Sequence, residues 1–355
     1  MVICNFCHKI KQTNMPSSAL LTTLLAHLRA LDGLEPGAAL RSLVEASLDR
    51  IPLPGQGATL ERWRLLAAVG AHDLALAKLF EGHTDALAIL HEAGAGPASA
   101  YAPPEGALWG TWCAEPPDAR LRLDTHADGS FTLRGRKSWC SGAGHLTHAL
   151  VSCWNVNGEA MLAAVDLRQN GVGVSDDGWE AVGMRGSGSV DVYFERALAT
   201  PIGNADFYVS RPGFWHGGAG VAACWFGAAS QLAEQLRARM ADKPDPHRLA
   251  QLGEVAVALQ ATAALMRETA AAIDGAPEAN AMHPALSLRL SVEDAATRTL
   301  AAVGRALGAG PLCKDAAIAR LVADLPVFMR QSHAERDQEA LGRLLAEDRR
   351  APWKL

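Results

Sequence analysis

Gly129-Ser130-Phe131-Thr132-Leu133-Arg134-Gly135-Arg136-Lys137-Ser138-Trp139-Cys140-Ser141-Gly142-Ala143-Gly144 alternates apolar and polar residues, turns at glycines, then sets an indole beside a small hydroxyl. The pattern predicts strand, turn, strand and a glycine-rich bend. Further on, Trp179-Glu180-Ala181-Val182-Gly183-Met184-Arg185-Gly186-Ser187-Gly188-Ser189-Val190-Asp191-Val192-Tyr193-Phe194 is a loop of small residues feeding a strand. In that strand Val190, Val192 and Phe194 alternate with Asp191, Tyr193 and Glu195, the spacing a half-buried strand needs. Between the two stretches, Ala149 to Trp154, Ala160 to Leu167 and Val172 to Val174 add strands spaced as in an antiparallel barrel or sandwich.

Outward from this β region the period changes to that of helices. Upstream, Ser18 to Ser47 holds two short helical patterns split by Gly33 and Pro36-Gly37, and a longer helix is expected from Thr59, read as its N-cap. Another follows around Ala86 to Leu90. The lone His83 reads as a residue bridging or capping helices. Gly94 to Gly106, rich in Gly, Ala and Pro, reads as the connection into the strands. Downstream, Val221 to Met240, Leu252 to Ile273, Leu286 to Leu307 and Ala316 to Met329 repeat apolar residues at helical spacing, predicting an up-and-down bundle. The expected organisation is an α+β chain: a leader at 1–14, an N-terminal helical domain at 15–106, a middle antiparallel β-barrel or sandwich domain at 107–205 and a C-terminal helical bundle at 206–355.

The 355 residues, 49% of them apolar, suffice for substantial cores. A net charge of −5 without a basic block argues against nucleic acid as a partner. No uncharged apolar run is long enough to span a bilayer and no export signal opens the chain, so no membrane partner and a cytoplasmic location are expected. Seven cysteines lie mostly in apolar stretches, as buried thiols do. The exception is Cys4-Asn5-Phe6-Cys7-His8, which has the spacing of covalent haem attachment, a modification that follows export, and lacks the second ligand pair of a zinc site. Met1 to Asn14 therefore reads as a leader, with Met15 opening the folded part. No phosphate-binding loop, paired-histidine metal motif or nucleophile elbow occurs. No metal site is expected.

Taken in order, Gly135-Arg136-Lys137-Ser138-Trp139-Cys140-Ser141 and Gly183-Met184-Arg185-Gly186-Ser187 resemble two motifs of the acyl-CoA dehydrogenase family of flavoproteins. In that family a gly-lys-x-trp-x-(ser/thr) strand lies against the flavin, and a gly-x-arg-x-ser loop precedes a late strand. The resemblance runs from about Leu60 to Gly342. It implies bound FAD, a homo-oligomer (dimer or tetramer) formed through the bundle, and an acyl-CoA or other acyl thioester as substrate. It also implies that Trp139 packs on the isoalloxazine while Cys140 and Ser141 reach its polar edge. Thr111-Trp112-Cys113-Ala114-Glu115-Pro116 resembles the family's strand ending in thr-glu-pro, placing Thr111, Cys113 and Ala114 over the ring, with Ala114 in place of the threonine. Arg185 is expected to hold its loop against a neighbouring strand.

The family's dehydrogenation needs a carboxylate base facing the flavin, with its pKa raised by an apolar pocket. Its two usual places fall near Gly217 and near Ser332-His333, and neither holds a carboxylate; a shifted register brings in Glu335 or Asp337. His333 is then the candidate proton carrier. Three functions follow as expectations: α,β-dehydrogenation of an acyl thioester, flavin-dependent monooxygenation on the same fold, and a non-catalytic binding or assembly subunit.

Overall fold

Pro36 opens a helix at a position where its missing N–H is not needed, and Gly33 just before it turns the chain with φ +82°. These residues separate α1 (Ser17–Ala30) from α2 (Pro36–Glu45). The computed structural model describes residues 17–94, 101–240, 245–348 and 353; the Cys4-Cys7-His8 cluster and the 1–14 leader lie outside them. Thr59 starts α3 (Thr59–His72), but as its first helical residue rather than its cap. Its hydroxyl accepts from Gly55 N at 2.9 Å and donates to Asp274 Oδ1 at 2.6 Å, a tertiary contact that propensity rules do not contain. Asp73 ends α3 and caps α4 (Leu74–Glu92), its side chain accepting from Leu76 N at 2.8 Å. The helix expected around Ala86 to Leu90 thus begins twelve residues earlier, at Leu74.

The strands are β1 (Trp109–Trp112), β2 (Leu121–Thr125), β3 (Phe131–Cys140), β4 (His148–Trp154), β5 (Ala160–Asp166), β6 (Val172–Val174) and β7 (Val190–Pro201). They pair as β1-β4-β2-β3-β7-β5, and a further β4–β5 pairing closes the ring, while β6 lies along β7. Closure leaves few free edges. Most pairings are antiparallel; β1 and β2, neither of them a neighbour of β4 in sequence, run parallel to it.

After the short α5 (Phe207–Ser210) come α6 (Gly213–Met240), α7 (Pro246–Gly275), α8 (Met282–Leu307), α9 (Ala309–Lys314), α10 (Ala316–Phe328) and α11 (Glu335–Glu347). α6 begins eight residues before the apolar pattern at Val221, through a glycine-rich turn that sequence rules read as loop. α7 is long and apolar enough by composition to cross a membrane, yet it packs along α8 and α6. α3 and α6 cross very closely: a Cβ at Gly70 would lie 2.3 Å from Cys224 O, and one at Gly227 would lie 2.0 Å from Ala67 O. One core cluster consequently runs through the N-terminal helices, the barrel and the bundle.

Candidate active site

The barrel turns its motif residues outward by a bulge. Lys137 pairs with Val192 and Cys140 with Val190, so three steps on β3 face two on β7. Trp139 sits in the bulge with φ +59°, in the left-handed region, and its side chain is thrown out of the sheet to 52% exposure. Cys140 turns the other way. Its thiol is fully buried, donates to Lys137 O at 3.2 Å and is pushed by burial far above the usual thiol range. Beneath the bulge the Lys137 ammonium is completely buried, bonded to Glu115 Oε1 at 2.5 Å, Ser152 Oγ at 2.6 Å and Ser152 O at 3.1 Å.

The two motifs meet. Gly142 N donates to Ser187 O at 2.7 Å, and the hydroxyls of Ser141 and Ser189 lie 2.7 Å apart, those of Ser189 and Ser187 2.8 Å. The Ser187 hydroxyl donates to Met184 O at 2.7 Å, which fixes the sense of the whole chain. Ser189 must donate to Ser187, and Ser141 must donate to Ser189. Ser141 therefore offers the cavity only lone pairs. The loop is held by Asp324 of α10, which accepts from Met184 N at 2.5 Å, and by Gly183, whose Cα approaches Ala323 O too closely for any side chain. Arg185, expected to do this, is exposed and makes no ion pair among the described residues.

Between α4, the β1 end of the barrel, the start of α6 and the α8–α10 edge lies a cavity of about 880 Å³. Its walls are largely aromatic, with Trp112, Trp139, Trp179, Phe214, Trp215 and Phe328. Its floor is polar and comes from α4 and from the chain that leads into α6. Lys78 and Glu81 pair at 2.9 Å, while Arg211 Nη1 pairs with Glu92 at 2.8 Å. Asp85, only 8% exposed, lies among them with Oδ1 unbonded, and burial raises its pKa although Arg211 nearby opposes the shift. A Cβ at Gly217 would come within 2.6 Å of that oxygen. Cys113 and Tyr208 line the same side, and burial raises the Cys113 thiol to about 11.

On the opposite edge His333 lines the cavity with its side chain 65% exposed and Nδ1 3.4 Å from Asp337 Oδ1. Asp337 also accepts from His333 N at 3.1 Å and from Ser332 Oγ at 3.4 Å. Arg289 fixes this edge to α6, donating to Gly218 O at 2.6 Å and Gln331 O at 2.9 Å.

The cavity thus brings together Thr111, Cys113, Ala114, Trp139, Ser141 and His333, whereas Cys140 points into the core and does not line it. Asp337 lines the cavity; Glu335 does not. Thr111 donates to Gly82 O at 2.8 Å. His83 is buried and bridges, Nε2 lying 3.1 Å from Asp49 Oδ2 while Nδ1 accepts from Trp109 N at 3.1 Å. Sequence reasoning missed Asp85, and it quoted Ser187 and Ser189 in the second stretch without giving either a role at the site. The signal for Asp85 was present: Lys78, Glu81 and Asp85 form one charged stripe on an otherwise apolar helix.

Residues 120–197 match the family model of the acyl-CoA dehydrogenase middle domain. Over the whole chain the similarity is structural. The dibenzothiophene monooxygenase TdsC from Paenibacillus sp. A11-2, solved with FMN and indole, superposes with a TM-score of 0.81 at 18% identity, covering 95% of this chain and 98% of that one. The fold is that of the acyl-CoA dehydrogenase family. KijD3 in complex with FMN and a dTDP-amino-sugar shares this acyl-CoA dehydrogenase fold with a TM-score of 0.78 at 20% identity, covering 95% of each chain. Methanesulfinate monooxygenase MsuC from Pseudomonas fluorescens gives 0.75 at 19% identity, covering 95% of this chain and 97% of that one. In sequence, the amino sugar nitrososynthase DnmZ of Streptomyces peucetius is 41% identical over 76 residues, 21% of this chain and 19% of that protein. The match spans about a fifth of that relative's length.

Proposed function

We propose that the chain is a flavin-dependent monooxygenase acting on a small molecule in this cavity, with FMN as cofactor rather than the FAD implied by the resemblance. The observation that carries the reading is His333. At the place where the resemblance puts a dehydrogenase glutamate, an imidazole faces the cavity, backed by the Asp337 carboxylate. An imidazole is a poor acceptor for a carbon-bound proton in an apolar pocket, because the cation it forms must be stabilised there. It suits proton exchange with oxygen species. TdsC and KijD3 were solved with FMN, and TdsC and MsuC are monooxygenases, which supports the same direction.

The residues fit a flavin. A half-exposed indole held outward by a left-handed backbone has no partner in the barrel, and an apolar cavity with few polar groups suits an isoalloxazine. A bound reduced flavin supplies the two electrons with which dioxygen is split, one oxygen atom going to substrate and the other to water. Trp139 would cover a face of the ring, Ser141 would accept from a ring N–H, and Thr111 would meet its polar edge. Trp112, Trp215 and Phe328 keep water out. Asp337 orients His333 through Nδ1, leaving Nε2 to give or take the proton.

The test loads purified protein with FMN and adds saturated acyl-CoA thioesters without oxygen. Monooxygenation predicts no bleaching of the flavin. Rapid anaerobic bleaching would return the chain to α,β-dehydrogenation.

A further inference from the structure

We propose that Asp85 anchors the substrate, its carboxyl group receiving the N–H or O–H donor of a small and otherwise apolar molecule at the α4–α6 floor of the cavity. The inference rests on the monooxygenase reading only in taking this cavity as the substrate site. Asp85 is more than nine-tenths buried, and Oδ1 has no hydrogen-bond partner. The cations around it are otherwise engaged: Lys78 with Glu81, Arg211 with Glu92, and Arg62 with Pro52 O at 3.1 Å and Thr84 Oγ1 at 3.4 Å. Native interiors rarely leave a carboxylate oxygen unmet, and where they do a ligand is a standing explanation.

A second orphan lies beside it. Arg211 Nε is buried and unbonded, a donor of opposite sense on a residue that also lines the cavity. The floor therefore offers one unmet acceptor and one unmet donor beneath aromatic walls. A flat apolar molecule with an N–H head meets Asp85, and one with a hydroxyl head meets Arg211 Nε as well; a donor-free thioester or thioether leaves Asp85 unmet.

Gly217 makes the arrangement possible. It stands on α6 where the resemblance places a carboxylate, and its missing side chain leaves room for the Asp85 oxygen 2.6 Å from where a Cβ would lie. The carboxylate at this place is thus supplied across the groove by α4.

The experiment compares indole with benzothiophene, nearly the same shape without the N–H donor, by calorimetric titration of flavin-free protein. Indole should bind about tenfold tighter or more, the scale of one buried hydrogen bond left unmade. Asp85→Leu should erase or invert the preference, and Asp85→Asn, which keeps an acceptor oxygen, should retain part of it. Gly217→Ala should also erase it by displacing the carboxylate without changing its chemistry, so the test survives if one variant fails to fold. Equal affinities in the wild type, no binding of indole, or a preference that persists in both Asp85→Leu and Gly217→Ala overturns the proposal. FMN titration of the same proteins separates the two claims. A wild type that binds no FMN sinks the monooxygenase reading and leaves donor selectivity standing, whereas normal FMN binding with equal probe affinities sinks the anchor alone. Anaerobic bleaching by an acyl-CoA that vanishes in Asp85→Asn would make Asp85 a carbon base and overturn both.

Discussion

Lys137→Met removes an ammonium that the barrel has buried completely. In the wild type Nζ meets Glu115 and two oxygens of Ser152, and Glu115 Oε2 also accepts from Trp154 Nε1 at 3.1 Å. Deleting one partner of a buried pair costs about 3 to 5 kcal/mol because the other charge stays unpaired. Glu115, however, keeps 32% of its side chain exposed, so water can take up part of the burden, and methionine fills the vacated volume. A loss of about 2 kcal/mol is expected, read from urea unfolding at neutral pH with an unchanged m-value. Burial alone would raise the Glu115 pKa, but hydrogen bonds from Lys137 and Ser152 outweigh it and hold the carboxyl below its usual range. The pair's contribution is therefore present above the ordinary carboxylate pKa and is lost as pH falls through the depressed folded value. The gap between wild type and Lys137→Met should narrow over that acidic window. Adding Glu115→Gln should recover most of the loss, since the amide keeps the Ser152 and Trp154 contacts. A single variant within about 0.5 kcal/mol of wild type, or a double variant worse than the single, refutes the reasoning.

Gly227→Ala drives a Cβ to within 2.0 Å of Ala67 O and should cost about 1 to 3 kcal/mol, visible as a lowered melting temperature. Asp85→Asn should raise stability at neutral pH, read as a higher melting temperature, because burial disfavours the ionised carboxyl and the amide has no charge to bury. Since burial raises the folded pKa of Asp85, that gain should shrink as pH falls toward the unfolded carboxylate value, below which both states hold the proton. His333→Ala should abolish oxygenation while leaving flavin affinity within about twofold, read by activity and titration together, because its side chain stands at the exposed edge of the cavity.

The barrel and the bundle were legible because their apolar residues repeat at the strand and helix periods, and Trp139 and Ser141 stood out as an indole and a hydroxyl in a glycine-punctuated strand. What stayed hidden depends on contacts between distant segments. The bulge that separates Trp139 from Cys140 is set by pairing with β7, so neighbouring residues that looked equally placed went to opposite sides. The role given to Arg185 belongs to Asp324, 140 residues beyond the backbone N–H it accepts from. Asp85 stayed hidden because it lies on none of the segments that carry the family's carboxylate, and only the space left at Gly217 brings its helix to that place. The start of α6 was obscured by glycines that helix propensity penalises and close packing against α3 and α4 tolerates.

Whether the cavity beside Trp139 holds a flavin can be measured directly. Titration of the purified chain with FMN, followed by flavin absorbance and by quenching of flavin fluorescence, should show one FMN per chain, with affinity lowered about tenfold or more in Trp139→Ala as a large packing surface is lost. Failure of both FMN and FAD to bind the wild type, or an unchanged affinity in Trp139→Ala, would contradict a flavin site there.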